Sequence, residues 1–172
     1  EYGATVGQIL LTRDDVEQPN VKQNLQGTFE SLLELGVIPV VNENDSVCIE
    51  EIENEYKVFG DNDTLSAIVA VLVSADVLVL LSDIDGLFDG DPRKNKDARL
   101  IPVVDEINDA VIALAGDAGS DFGTGGMATK LAAAAIAMEN GIDMVITNGE
   151  TPQNLYTVAK GGSVGTLFKH KI

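Results

Sequence analysis

Residues 123–130 read Gly-Thr-Gly-Gly-Met-Ala-Thr-Lys. Gly123, Gly125 and Gly126 permit a turn whose backbone N–H groups converge. A helix starting near Met127 would aim its positive end at the same point. Lys130 falls about one turn into that helix, so its long stem can reach back to the loop. Converging backbone donors and one ammonium suit the β and γ phosphates of a nucleotide. The same residues also fit an ordinary helix start with a solvated lysine. Two familiar phosphate motifs are excluded. Thr129, not glycine, precedes Lys130, so the Walker loop fails, and no strand leads into the glycines, so the dinucleotide fingerprint fails as well.

Other polar clusters fall where buried strands end or helices begin. Asp61, Asn62 and Asp63 follow Gly60 at a helix start, where Asp61 or Asp63 can cap. Two carboxylates and an amide exceed what one cap needs, and the surplus could hold an ammonium, orient a lysine or approach a metal. Asn42, Asn44 and Asp45 follow a strand, and such side chains suit an amino-acid substrate, whose ammonium and carboxylate need opposite partners. A plain polar loop would look the same. Ser82 and Asp83 close a central strand, where a nucleotide could lie against the backbone. Asp83, Asp85 and Asp91 lack the glutamate and flanking helices of a calcium loop. Arg93, Lys94, Lys96 and Arg99 read as a solvated cationic face. Cys48 is the single cysteine, which excludes an internal disulfide and a multi-cysteine metal site. A reducing cytoplasm is the expected setting.

The elements that must position these residues alternate. Strands are expected at Gln8 to Thr12, Val37 to Asn42, Asp76 to Asp83, Asp143 to Asn148 and, briefly, Val164 to Phe168. Helices are expected over Val21 to Leu35, from Asp61 to about Ala75, over Glu106 to Gly116, from Met127 to a stop at Gly141, and shortly after Pro152. Residues 43–60 suggest a hairpin or excursion. Strands apolar on both faces predict a mainly parallel sheet covered by helices, a three-layer α/β/α sandwich. In such sheets ligands sit beyond the carboxyl ends of the strands, which singles out the stretches after Val41, Leu81 and Ile146.

Composition narrows the partners. The 172 residues suit one sizeable domain, and no apolar run approaches the roughly 18 residues of a membrane helix. With 28 acidic and 11 basic residues the net charge is −17. That disfavours nucleic acid and anionic membranes, whose phosphates call for a basic surface.

Taken in order, Val-Ile-Pro-Val-Val-Asn-Glu-Asn-Asp (37–45), Phe-Gly-Asp-Asn-Asp-Thr-Leu-Ser-Ala (59–67), Leu-Leu-Ser-Asp-Ile-Asp-Gly (80–86), Gly-Thr-Gly-Gly-Met-Ala-Thr-Lys (123–130) and Val-Gly-Thr-Leu-Phe (164–168) resemble the glutamate 5-kinases of the amino acid kinase superfamily. The glycine element alone is shared with isopentenyl phosphate kinases and other members. The stretches at 42–45 and 60–67 narrow the likeness to the glutamate enzymes. The resemblance implies transfer of the γ-phosphoryl of ATP to the glutamate side chain, with Mg²⁺ bridging the phosphates and proline as feedback inhibitor. It assigns Lys130 to charge neutralisation and Asp63 to the orientation of lysines. Asp45 and Asn62, with Asn42 nearby, would bind glutamate. Ser82, Asp83 and the run Thr124, Gly125, Gly126, Met127, Ala128, Thr129 and Lys130 would contact the nucleotide. It also implies a homo-oligomer.

The family's leading strand, glycine-rich turn and second catalytic lysine have no counterpart here, nor has the RNA-binding-like C-terminal domain of many members. The chain is therefore expected to be a fragment, a single kinase domain over residues 1–172, and a poor catalyst alone. Ser82 stands where the family usually has threonine. An acetylglutamate kinase, a phosphate-monoester kinase, or a non-catalytic module that binds amino acid or nucleotide are the rival readings.

Overall fold

The structure is a computed structural model that describes residues 3–46, 61–115 and 126–171. It forms two compact units, Glu1–Val73 and Ser74–Ile172. The expected hairpin, Cys48, Thr124 and Gly125 lie outside the described residues.

In the first unit, strand β1 (Thr5–Leu11) pairs in parallel with β2 (Val37–Glu43). Helices α1 (Arg13–Glu17) and α2 (Pro19–Glu34) connect them. The sequence predicts one helix from Val21; the structure begins it at Pro19, where proline's missing N–H costs nothing, and adds the short α1 before it. Gly36, at φ +69°, ends the helical run in a conformation that side chains disfavour and turns the chain into β2. Helix α3 (Asn62–Leu72) completes the unit and packs against β2.

Leu11 and Leu65 are buried together, with Ile9, Val16, Leu25, Val41, Ile68 and Val69 around them. This core lies on one face of the strand pair. Val6, Leu10, Ile38 and Val40 alternate onto the other face and are 42–61% exposed. Among the described residues, the helices of this unit pack on the Leu11 side of the strand pair. Phe29 of α2 is buried, whereas Leu33 lies on the outer side of the helix and is exposed.

The second unit carries a four-stranded sheet ordered β3 (Val77–Ser82), β5 (Asp143–Asn148), β6 (Thr166–Phe168) and β4 (Val103–Val104). The β3–β5 and β4–β6 pairs are parallel, as the alternation predicts, and β5–β6 is antiparallel. The antiparallel step follows from the short return through α6 (Asn154–Ala159), which brings the chain back beside β5. The two-residue β4 was not legible in the sequence. Helix α4 (Asp109–Leu114) begins three residues later than expected and is capped by Asn108, whose side chain accepts from the Val111 N–H. Helix α5 (Met127–Glu139) packs against β5 through Leu131, Ala133, Ala134 and Ala137, all buried. Its small alanines let helix and sheet approach closely.

Two glycines fix the crossing of β5 and β6. Gly165, at φ +65°, lies so close to β5 that a Cβ would fall 2.0 Å from the Ile146 carbonyl oxygen. Gly86 is packed so tightly that a Cβ would meet Thr166 Oγ1 at 2.5 Å.

Candidate functional site

Each unit gathers one cluster of the sequence-predicted residues at one end. In the first unit the gathering is done by the core. Leu65, in the first turn of α3, shares its cluster with Leu11, the last residue of β1, and with Val41 of β2. Asn42 and the start of α3, with Asn62 and Asp63, therefore lie at the carboxyl end of the strand pair. The Asn44 N–H bonds the Leu11 carbonyl at 2.8 Å, which extends the ladder into the turn carrying Asp45. Ser46 donates to the Asn44 side chain at 2.7 Å, and Asp45 itself is exposed.

Asp61 carries the cap of α3. Its carboxylate accepts from the Thr64 N–H at 2.8 Å and from the Thr64 hydroxyl at 3.3 Å. This decides between the two candidate caps, because Asp63 already lies inside the helix. Asn62, the first helical residue, is exposed, and its own carbonyl accepts from Ser66. The cap therefore does not use the Asn62 side chain.

In the second unit the gathering is done by topology. Helix α5 has 13 residues and spans about 20 Å, close to the length of the six-residue β5 that follows it. The tight turn at Gly141, φ +76°, sets helix and strand antiparallel, so the N-terminus of α5 lies at the carboxyl end of β5. Ser82 of β3 pairs with Asn148 of β5 at that end. Ser82, Asp83 and the start of α5 thus share one edge, where ligands of parallel sheets bind.

The start of α5 has an open character. Its cap is Gly126, which supplies no side-chain acceptor to the first N–H groups, and a Cβ there would meet nothing within 4 Å among the described residues. Those N–H groups and the helix dipole favour an anion. Met127, Ala128 and Thr129 form the first turn, with the Thr129 hydroxyl donating to the Gly126 carbonyl at 2.8 Å. Lys130 follows, half-buried beside the buried Leu131.

Ser82 and Asp83 are linked to each other, the hydroxyl donating to the carboxylate at 3.2 Å. Arg93 also bonds the Asp83 carboxylate, at 3.1 Å. One member of the cationic run thus returns to the strand end, and the pair it makes there stays solvent-exposed. Sequence reasoning missed this contact; it singled out the stretch after Ile146 but gave no role to Asn148, the last residue of β5.

Among the described residues, no three His, Cys, Asp or Glu side chains converge on a metal-sized site. No described helix is long and apolar enough to cross a membrane.

A model of the amino acid kinase family matches residues 1–148. The chain belongs to this family. Among amino acid kinases, the protein named glutamate 5-kinase of Clostridium perfringens is 53% identical over 171 residues, which cover 99% of this chain and 63% of that protein. The one of Clostridium acetobutylicum is 56% identical over 168 residues, 98% of this chain and 61% of its own length. The chain therefore spans less than two thirds of the relatives it matches. Among solved structures, an isopentenyl phosphate kinase of T. acidophilum superposes with a TM-score of 0.62 at 19% identity, covering 97% of this chain and 61% of its own. A UMP kinase of Bacillus anthracis gives 0.64 at 16%, covering 98% and 59%. These two likenesses establish the amino acid kinase fold, with its α/β layers and parallel strand pairs.

Proposed function

We propose that the protein transfers the γ-phosphoryl group of ATP to the side-chain carboxylate of L-glutamate, giving ADP and L-glutamyl 5-phosphate, the entry to proline biosynthesis. The observation that carries this reading is the identity of 53–56% to proteins named glutamate 5-kinase along nearly the whole chain.

The chemistry suits the residues. A carboxylate oxygen attacks the γ-phosphorus and the bond to the β–γ bridging oxygen breaks, so the electron pair leaves with ADP. The attacking carboxylate is already ionised, and no general base is needed. Catalysis then rests on alignment and on offsetting negative charge. In this reading Lys130 and the N-terminus of α5 offset charge on the transferring group, together with backbone N–H groups of Gly126 to Thr129. Ser82 and Asp83 hold the nucleotide, as does the 124–125 segment. Asn42, Asp45 and Asn62 bind glutamate, and Asp63 orients cationic groups. Mg²⁺ bound with the nucleotide would supply further charge neutralisation on the phosphates. Proline inhibition, a cytoplasmic setting and a homo-oligomer belong to the same proposal.

The test uses the full-length protein with MgATP and hydroxylamine, which traps an acyl phosphate as its hydroxamate. Glutamate should give hydroxamate and ADP in equal amounts. Phosphorylation of acetylglutamate, UMP or isopentenyl phosphate in place of glutamate would overturn the reading.

A further inference from the structure

The segment 82–86 leaves β3 and carries Ser82 and Asp83 at the edge of the sheet. It is irregular, yet it is fixed at three points. The Gly149 N–H bonds the Ser82 carbonyl at 2.8 Å. The Asn148 side-chain amide donates to the Asp85 carboxylate at 2.9 Å. Gly86 is seated against Thr166 and Leu100, with no room for a side chain. Two of the three anchors come from the end of β5, the parallel neighbour of β3, and the turn that follows it.

Asn148 is held at both ends of its amide. While its N–H₂ group reaches Asp85, its carbonyl oxygen accepts from the Glu150 N–H at 2.9 Å. Both ends of the amide are therefore assigned, and the side chain cannot turn over without losing both bonds. The contact joins residues 63 apart in sequence. Residues 83 and 84 are strung between the Ser82 anchor and the Asp85 anchor, so the backbone path that presents Asp83 depends on Asn148, while Arg93 and Ser82 bond the Asp83 carboxylate.

We propose that Asn148 is a positioning residue for the nucleotide: through Asp85 it fixes the 82–85 segment so that Ser82 and Asp83 meet the nucleotide in one geometry. The proposal rests on the assignment of Ser82 and Asp83 to the nucleotide. It does not depend on which acceptor is phosphorylated. Asn148 acts through Asp85 and touches no substrate.

The pair can be exchanged. Asn148→Asp sets two carboxylates against each other at bonding distance and keeps the acceptor for Glu150. Combining Asn148→Asp with Asp85→Asn restores one donor and one acceptor in reversed order. The measurement is ATP affinity in the full-length protein by equilibrium titration without any acceptor, alongside the thermal midpoint of each variant. Asn148→Asp is expected to weaken ATP binding roughly fivefold or more, and the exchanged double variant to recover most of that loss. Unchanged ATP affinity in Asn148→Asp overturns the proposal. So does a double variant that recovers its thermal midpoint but not its affinity, for then the bond serves stability alone. Absence of ATP binding by the unaltered protein also overturns it. If affinity follows the bond while the hydroxamate assay with glutamate is negative, the positioning role stands and only the acceptor assignment falls.

Discussion

The hydroxyl of Thr166 receives the backbone N–H of Leu87 at 2.8 Å and donates to the Ile101 carbonyl at 2.7 Å, with no solvent access. One side chain on β6 thus clamps both feet of the loop that begins at Gly86 and returns at Leu100. Thr166→Val keeps the shape and removes the hydroxyl, which leaves the Leu87 N–H buried without this partner. The expected loss is about 1–3 kcal/mol in urea unfolding. Thr166→Ser retains the clamp and should lose less, about 1 kcal/mol for the missing methyl. Equal stability of the valine variant and the native protein would remove the clamp from the account.

Gly165 and Gly161 separate steric fit from backbone conformation. Both have positive φ, +65° and +73°. A Cβ at Gly161 would meet nothing within 4 Å, whereas at Gly165 it would collide with the Ile146 backbone. Gly161→Ala is expected to cost about 1–2 kcal/mol, the left-handed penalty alone. Gly165→Ala must also push β6 away from β5, so it should unfold at markedly lower denaturant or accumulate as insoluble chain. Similar midpoints for the two variants would refute the close approach.

These two relationships also show what the sequence could reveal. Strong periodicity made α2, α3, α5, β2, β3 and β5 legible, and the glycine stop at Gly36 was readable from residue type. Polar residues after apolar strands pointed to Asn42, Ser82 and Asp83. Partners far apart in sequence were not legible. Thr166 finds Leu87 and Ile101 at separations of 79 and 65 residues, and Asn148 finds Asp85 at 63. Nothing local distinguishes that threonine from any other in a strand. Residue type alone also does not tell which face a strand residue takes: Leu10, Ile38 and Val40 alternate onto the face opposite Leu11 and Val41 and are exposed. The choice between Asp61 and Asp63 turned on a single residue of helix register, finer than residue types resolve.

The cap and its neighbour should therefore behave differently. Asp61→Ala removes the acceptor for the Thr64 N–H and should cost about 1 kcal/mol, with Asp61→Ser recovering most of it. Asn62→Ala makes no such change, because the Asn62 bond to Ser66 uses its backbone carbonyl. Its stability should stay within about 0.5 kcal/mol of native. In the glutamate reading its cost appears instead as a raised KM for glutamate with the KM for ATP unaltered. A stability loss in Asn62→Ala as large as that of Asp61→Ala would assign Asn62 to the helix rather than to the substrate.

Lys130 gives the sharpest separation of binding from chemistry. It follows the first turn of a helix whose cap residue, Gly126, has no side-chain acceptor of its own. Backbone groups can hold phosphates already present in ATP. An ammonium placed on the transferring group matters most when charge is redistributed toward the transition state. Lys130→Met preserves much of the aliphatic stem beside Leu131 and removes the charge. The expected result is a fall in kcat of roughly 10²-fold or more, with ATP affinity changed far less. Lys130→Arg should restore part of kcat, since it keeps the charge with a different shape. Steady-state kinetics with glutamate and ATP, together with equilibrium ATP binding, give both quantities. Equal losses in kcat/KM and in ATP affinity, with kcat preserved, would make Lys130 a ground-state phosphate anchor and remove it from the chemical step.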